Sequence, residues 1–219
     1  MKDLPPIPSR APKPSEDREG LSPTTRDLLA RALAAGRAGR VGPAIRCLGD
    51  AIRRSRREPE RAFLAEVDHA LREAVAWRAH LAAAVAHLEP RGVLLPSREA
   101  APVEAEVVSV DVRGLAARIL CGEVVVDGFL PYEDLPLPLL RRFSQGLADP
   151  ESQETHRNIG VLRWFRGDLD GARRSFDEAR RLAPRVDLSV EERLLAFARE
   201  EAKTPEPALE VRAAAGASA

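Results

Sequence analysis

Apolar residues recur at helical spacing through the first part of the chain. One apolar face begins after Ser22, whose hydroxyl is placed to cap a helix, and ends at Gly36. A second helical pattern starts near Pro43, and a third runs from Glu60 to Leu88 without any Gly or Pro. The third pattern predicts one long helix, because its successive apolar residues are separated alternately by four and three positions. These residues are Phe63, Val67, Ala70, Ala74, Trp77, Leu81, Ala84 and Leu88.

A continuous apolar stripe on a long helix has two interpretations. It forms either the seam of a coiled coil with a second chain or the buried face of a helix inside a helical domain. The buried face is favoured. A break into two helices near residues 76–80 stays open, because the sequence there contains no signal that decides it.

The period changes to that of β-strands after a loop over residues 94–102. Three short runs rich in β-branched residues follow, Val103–Val110, Leu115–Leu120 and Glu123–Phe129. Turn-forming residues separate them, which predicts an antiparallel meander. A sheet this small requires cover on one face, and the apolar segment over residues 130–147 is expected to supply it.

Residues 158–184 predict two helices joined by a short turn. The first helix is apolar and runs to Gly167, and the second ends at a proline. Small residues stand at Gly160, Ala172 and Ala179, where the two helices are expected to lie close together.

This pattern resembles the tetratricopeptide repeat (TPR), a helix–turn–helix unit of about 34 residues. The family's places for Leu-Gly, Gly, Ala, an aromatic, Ala and Pro are filled by Ile159-Gly160, Gly167, Ala172, Phe176, Ala179 and Pro184. Two places depart from the family, since His156 stands at the Trp place and Arg163 at the Tyr place, with Trp164 one step along. A weaker copy of the spacing occurs at Gly39, Ala44, Leu48 and Ala51. The resemblance implies a scaffold that binds other proteins.

These patterns predict an α+β fold, mainly helical, in which TPR-like helical hairpins and a long helix accompany a small antiparallel β insert. The predicted regions are a disordered Pro-rich arm (1–21), an N-terminal TPR-like helical region (22–90), a small β module with a covering helix (91–147), a C-terminal TPR-like repeat with a capping helix (148–202) and a disordered tail (203–219). The capping helix is indicated by Ser189 and Glu192, which have the spacing of a capping box.

Charge and cysteine usage narrow the possible partners. The chain has 34 Lys and Arg against 34 Asp and Glu, so its formal net charge of +0 gives no overall attraction to nucleic acid or acidic lipid. The arginine cluster over residues 53–57 lies at a predicted helix C-terminus, where positive charge is favourable without any ligand. Arg-mediated nucleic-acid binding is therefore the weakest hypothesis.

The 2 cysteines, Cys47 and Cys121, are too few for a disulfide framework, and no apolar run is long enough for a membrane span. A cytoplasmic location is expected, and the excess of Arg over Lys is typical of a GC-rich bacterial genome.

The sequence lacks the catalytic motifs that carry a clear mechanism. It contains no Gly-rich phosphate loop with a lysine, no Gly-x-Ser-x-Gly and no His-Glu-x-x-His. His69, His80 and His87 share one side of the long helix, but separations of 11 and 7 residues correspond to about 16 Å and 10 Å of rise. One metal ion cannot bridge them, because each ligand bond is about 2 Å long. No enzymatic activity, metal or cofactor is expected.

The TPR resemblance implies a binding surface on the first helix of the repeat. Carried over by position, the outward-facing candidates are Glu154, Arg157, Val161, Trp164 and Phe165. Arg157, Val161 and Trp164 are the predicted partner-binding residues, with Trp164 as the anchor, because aromatic and Arg side chains dominate binding hot spots. The alternative is that Trp164 and Phe165 pack on a neighbouring helix or on the β module. The expected function is a non-enzymatic adaptor or scaffold for a protein or peptide, and the alternative is an accessory subunit or domain of a larger signalling or enzyme assembly.

Overall fold

A computed structural model describes residues 21–86, 92–95, 103–121, 124–144 and 146–203. The predicted arm (1–21) and tail (203–219) lie outside these residues, apart from Leu21 and Lys203. The helices in chain order are α1 (Pro23–Arg37), α2 (Val41–Arg54), α3 (Glu58–Val85), α4 (Leu137–Phe143), α5 (Gln153–Arg166), α6 (Leu169–Leu182) and α7 (Ser189–Lys203). The strands are β1 (Gly92–Leu95), β2 (Val103–Asp111), β3 (Gly114–Cys121) and β4 (Val124–Pro131). The predicted α+β class, mainly helical with a small antiparallel sheet, is confirmed.

The helices form two hairpins, α1 with α2 and α5 with α6, and α1 also packs on α5. A glycine stands at each of two close contacts. A Cβ added at Gly160 would lie 2.6 Å from Cδ1 of Phe176, and one added at Gly36 would lie 2.5 Å from the carbonyl oxygen of Phe165. Both distances are far below ordinary van der Waals contact, so the absence of a side chain lets these helices approach. The two helical regions therefore stack in one core.

The turn between α5 and α6 is defined by its backbone. Gly167 ends α5 with φ of 88°, a left-handed conformation that glycine adopts without steric cost. Asp168 then caps α6, since its carboxylate accepts the N–H of Gly171 at 2.9 Å.

Helix α3 is continuous over 28 residues and does not break near residues 76–80. Its first part supplies Phe63, Val67 and Ala74 to the core shared by the helices, and its last part supplies Leu81 and Val85 to a second core beneath the sheet. The apolar stripe is thus the buried face of a helix within the fold, as predicted, and its last predicted residue, Leu88, lies outside the described residues. The same helix also connects the helical hairpins to the sheet.

The sheet has the strand order β1-β2-β3-β4, and every pair is antiparallel. The three predicted strands are confirmed to within two residues at each end. Strand β1 was not predicted, because four residues beside prolines are too short to show a period. One face of the sheet is covered at Ala105, Leu115 and Ala117, and residues 130–147 supply Tyr132, Leu135 and Leu140 to that core.

Candidate functional site

The predicted partner-binding residues do not form an open surface. Val161 and Trp164 are each 2% exposed, and Phe165 is also buried. The indole N–H of Trp164 donates to the carbonyl oxygen of Leu194 in α7 at 2.9 Å. The expectation that Val161, Trp164 and Phe165 face outward is wrong, because α1, α3 and α7 all pack around α5.

Arg157 is partly exposed but is held by ion pairs within the chain. Its Nε lies 2.5 Å from Oε1 of the buried Glu191, and its Nη1 lies 4.0 Å from Oε2 of Glu73. Glu154 is the one outward-facing candidate on α5 that is exposed. His156, at the family's Trp place, is buried with Nε2 2.8 Å from the carbonyl oxygen of Pro150. These contacts tie α5 to its neighbours and leave little of it for a partner.

One candidate histidine, His69, and one arginine of the cluster, Arg53, make ordinary surface ion pairs, and His87 lies outside the described residues. His69 pairs with Glu73 on the surface of α3, and Arg53 pairs with Asp50 on α2. Among the described residues, no group of three His, Cys, Asp or Glu is arranged to hold a metal ion. In the described part of the chain, no helix combines the length and apolar character that crossing a membrane requires.

The largest concentration of exposed apolar side chains lies on the sheet. Among the described residues, the exposed large apolar side chains are Val108, Val112, Leu120, Val124, Val125, Val126, Phe129 and Leu147, and all but Leu147 belong to the strands or to a turn between them. Strand β4 carries three valines in a row that are 60%, 52% and 46% exposed, at positions 124, 125 and 126. Val124 and Val126 lie on one face of β4 and Val125 on the other, because successive side chains of a strand alternate. Exposed apolar residues grouped along one strand mark interaction sites more often than scattered ones do.

Strand β4 is an edge of the sheet. It pairs along its whole length with β3, from Cys121 opposite Val124 to Gly114 opposite Pro131, and with no other described strand. Alternate residues of such a strand direct their backbone N–H and C=O groups away from the sheet. Val125 lies opposite Leu120, which is also exposed, so the apolar surface continues from the edge onto one face.

The far end of β4 is fixed by the residue that follows it. Tyr132 is fully buried, and its hydroxyl donates to the carbonyl oxygen of Asp111 at the end of β2, at 3.0 Å. Burial, together with the negative charge of Asp111, raises the pKa of Tyr132 to about 12, although Arg78 opposes the shift. Strand β4 therefore begins with exposed apolar side chains and ends next to a residue that is anchored in the core.

No protein-family model, curated protein or solved structure matches this chain. Its function is inferred from its own geometry. The sequence contained two signals for the β4 edge. The first is its place in the meander, because the last strand of a meander has a neighbour on one side only. Three adjacent valines in that strand were the second signal, since a half-buried strand alternates apolar and polar residues.

Proposed function

We propose that this chain is a non-enzymatic adaptor that binds an extended segment of a partner protein along β4. The observation that carries the proposal is the exposed edge strand with three consecutive exposed valines. An extended peptide that adds a strand to a sheet edge gains backbone hydrogen bonds, and alternate side chains supply specificity. The predicted protein or peptide partner is thus retained, with the binding surface moved from α5 to the sheet.

Strand β4 lacks the features that protect ordinary sheet edges from pairing. Edge strands are usually short, or carry Lys, Pro or inward-pointing charges. Strand β4 has eight residues, a single charged residue at Asp127, and no proline before Pro131. Asp127 is moreover paired with Arg118 of β3 at 3.5 Å, so it does not place an isolated charge at the edge. An unprotected edge of this length favours use as a binding site.

The exposed valines fit a partner segment that is apolar and β-branched. Covering the exposed half of one valine contributes about 1 kcal/mol, and three of them contribute about 3 kcal/mol before the entropy cost of association. Because this apolar contribution is modest, the hydrogen bonds between the backbones of β4 and the partner segment supply both the register and much of the affinity. The proposed partner is therefore an extended segment rather than a folded surface.

The helical hairpins are proposed to be a TPR-like scaffold that positions the sheet. The support is the spacing of Gly160, Gly167, Ala172, Phe176 and Ala179 on two closely packed helices joined by a tight turn. In this proposal α3 connects the scaffold to the β core. The cytoplasmic location stays a prediction.

A matched pair of variants tests the proposal. Val125→Lys places a charge on the β4 edge, and Val112→Lys places the same charge at an equally exposed site, 53% against 52%, in the turn between β2 and β3. Peptides selected from a random library on the wild-type chain are expected to bind Val112→Lys unchanged and to lose binding to Val125→Lys. Hydrogen exchange should slow at alternate amides of β4 when such a peptide is bound.

Two outcomes would contradict the proposal. The first is that selected peptides bind both lysine variants equally. The second is that sedimentation shows a dimer that Val125→Lys dissociates and Val112→Lys does not, since the edge would then be covered by a second copy. The partner captured through the wild-type edge would further distinguish an adaptor from an accessory subunit of a larger enzyme.

A further inference from the structure

A row of charged side chains crosses one face of the sheet and ends at β4. Arg118 of β3 is the register partner of both Glu106 of β2 and Asp127 of β4. Its Nη1 lies 3.4 Å from Oε2 of Glu106, and its Nε lies 3.5 Å from Oδ1 of Asp127. One arginine therefore lies between two carboxylates, so the charges along the row are negative, positive and negative.

Asp127 is the outermost member of this row, because β4 pairs with no described strand other than β3. Its side chain is 82% exposed, compared with 47% for Arg118. Because Arg118 is shared with Glu106, the row as a whole has a formal net negative charge. The carboxylate at the β4 edge is therefore accessible and only partly balanced.

A strand that adds to β4 places one residue directly opposite Asp127. Directly opposite residues on one face of a sheet have Cβ atoms about 4.5–5.5 Å apart. Opposite charges at such a pair stabilise the pairing, and like charges destabilise it. A Lys or Arg at this position would therefore continue the alternation of charge across the sheet.

The rows on either side of Asp127 favour apolar residues. Side chains two positions apart on a strand share a face, so Val125 and Phe129 flank Asp127. Val125 and its register partner Leu120 are both exposed, which makes that row apolar. Phe129 is also exposed, and the guanidinium carbon of Arg113 lies 5.4 Å from the centre of its ring. A second cation opposite Phe129 would lie close to Arg113, so that position favours an apolar side chain as well.

We propose that the β4 edge selects an extended partner segment with a Lys or Arg opposite Asp127 and apolar residues two positions before and after it. This inference rests on the proposed function of β4 and adds the charge of the partner to it. The pattern is symmetrical about the basic residue, so it holds for either direction of the added strand. A shift of one residue would turn the basic side chain to the opposite face, and a shift of two would place it in an apolar row. The charge of Asp127 therefore also sets the register.

The same charge argues against a second copy of this chain as the occupant. Strand β4 reads VVVDGFLP and β1, the other edge among the described strands, reads GVLL. Neither contains Lys or Arg, so pairing these edges between two copies cannot place a cation opposite Asp127. Pairing of β4 with β4 centred on Asp127 would place two carboxylates opposite each other, which is destabilising.

Peptides selected from a random library on the wild-type chain are the probes for this inference. They are expected to share a Lys or Arg with an apolar residue two positions away on each side. Replacing that basic residue by Glu exchanges attraction for repulsion next to Asp127. Fluorescence anisotropy of the labelled peptides should then show binding to the wild-type chain that is about 2- to 30-fold weaker. The difference should shrink in 1 M salt, where the Debye length is about 3 Å.

Variants of the chain assign the preference to one carboxylate. Asp127→Lys should reverse the preference, so that the Glu peptide binds more tightly than the basic one. Asp127→Asn removes the charge with little change of shape and should bind the two peptides about equally. Asp177→Lys is the matched control, because Asp177 is an exposed aspartate of α6 that pairs with Arg173 at 3.8 Å. It changes the net charge by the same amount and should keep the wild-type preference.

Three results separate this inference from the proposed function on which it rests. If the selected peptides lose binding to Val125→Lys but the basic and Glu peptides bind the wild-type chain equally, the edge binds a strand and the charge inference is wrong. If Asp177→Lys changes the preference as much as Asp127→Lys does, the preference comes from net charge and the inference is again wrong. If Val125→Lys weakens the binding of no selected peptide, the proposed function itself fails, and the charge inference fails with it.

Discussion

The close contact between α5 and α6 can be tested with Gly160→Ala. This variant should be less stable than the wild-type chain, contrary to the usual effect of alanine in place of glycine within a helix. Within a helix, Gly→Ala ordinarily stabilises by about 1 kcal/mol. At Gly160 the new Cβ would lie 2.6 Å from Cδ1 and 3.0 Å from Cζ of Phe176, and closer still to Cε1. Optimal carbon contacts are about 3.5–4.0 Å, so the ring must move by about 1 Å.

The ring of Phe176 has little room to move, because it is 4% exposed and belongs to the core shared by the helices. Overpacking a well-filled core costs about 1–3 kcal/mol. The upper part of that range, about 2–3 kcal/mol, applies here because the clash is with a buried ring. Subtracting the helix-propensity gain of about 1 kcal/mol for Gly→Ala leaves a net destabilisation of about 1–2 kcal/mol.

Gly49 in α2 provides the matched control. A Cβ there would lie 3.5 Å from Nη1 of Arg53, an ordinary contact with the end of a flexible side chain. Gly49→Ala should therefore stabilise by about 1 kcal/mol, and the two variants should differ by about 2–3 kcal/mol. Urea unfolding followed by circular dichroism measures both, with the slope of the transition expected to stay constant.

A double variant locates the clash. Phe176→Leu removes the ring atoms that meet the new methyl group, so Gly160→Ala should cost less in that background than in the wild type. If Gly160→Ala were as stable as the wild-type chain, or if its cost were the same in both backgrounds, the close-packing explanation of the hairpin would be refuted.

Three further predictions concern buried polar groups. Trp164→Phe should lower the free energy of unfolding by about 1–3 kcal/mol in urea titration, because the hydrogen bond to Leu194 and part of the packed indole are lost. Tyr132 is the single tyrosine, so alkaline absorbance titration reports on it alone, and it should ionise near pH 12 while the fold persists. Because the unfolded pKa is near 10.0, stability should fall as the pH rises from about 10 towards 12. Burial by itself would raise the pKa of Glu60, but hydrogen bonds from Ser22 and Ser55 hold it below the ordinary 4.5. The contribution of Glu60 to the free energy of unfolding should therefore be fully present above about pH 4.5. It should be lost as the pH falls through the lower pKa of Glu60 in the folded state, and acid unfolding measures that loss.

Each of these predictions has its own control. Trp77→Phe changes the other tryptophan, which is partly buried at the core, and should cost less than Trp164→Phe. Ionisation of Tyr132 near pH 10 in a chain that circular dichroism shows to be folded would contradict the burial argument. Glu60→Gln should abolish the acid dependence assigned to this residue, and an unchanged acid profile would show that the carboxylate of Glu60 is not its source.

Sequence periodicity predicts those helices and strands whose spacing of apolar and small residues matches the face that packs in the fold. The α5–α6 hairpin follows from small residues at Gly160, Ala172 and Ala179 and from a left-handed turn at Gly167, and all of these act within one short segment. Strand β1 has four residues and depends on β2 for its pairing. Local sequence therefore could not indicate it.

The predicted binding surface was wrong for a different reason. The pattern places Trp164 on α5, but its exposure depends on whether another helix covers that face. Here α7 returns over α5 and accepts the indole hydrogen bond through Leu194. Arg78 is a second residue whose burial its type does not indicate, because charged side chains are almost never fully buried unless they are paired. Only the packing of α3 against the rest of the fold buries it, and its own sequence neighbours do not indicate that packing.

The position of α7 also supports the proposal that the sheet, rather than the helices, is the interaction surface. In a repeat scaffold, the first helices stay open only where successive hairpins curve around a shared concave face. In this chain α1, α3 and α7 surround α5 and fill that space with the buried core. The sheet is attached to the end of α3 through a second core, and the valines of the β4 edge stay exposed. Under the proposed function, a partner segment binds the backbone groups and apolar side chains of β4, so substitutions in the helical core should alter stability before they alter binding.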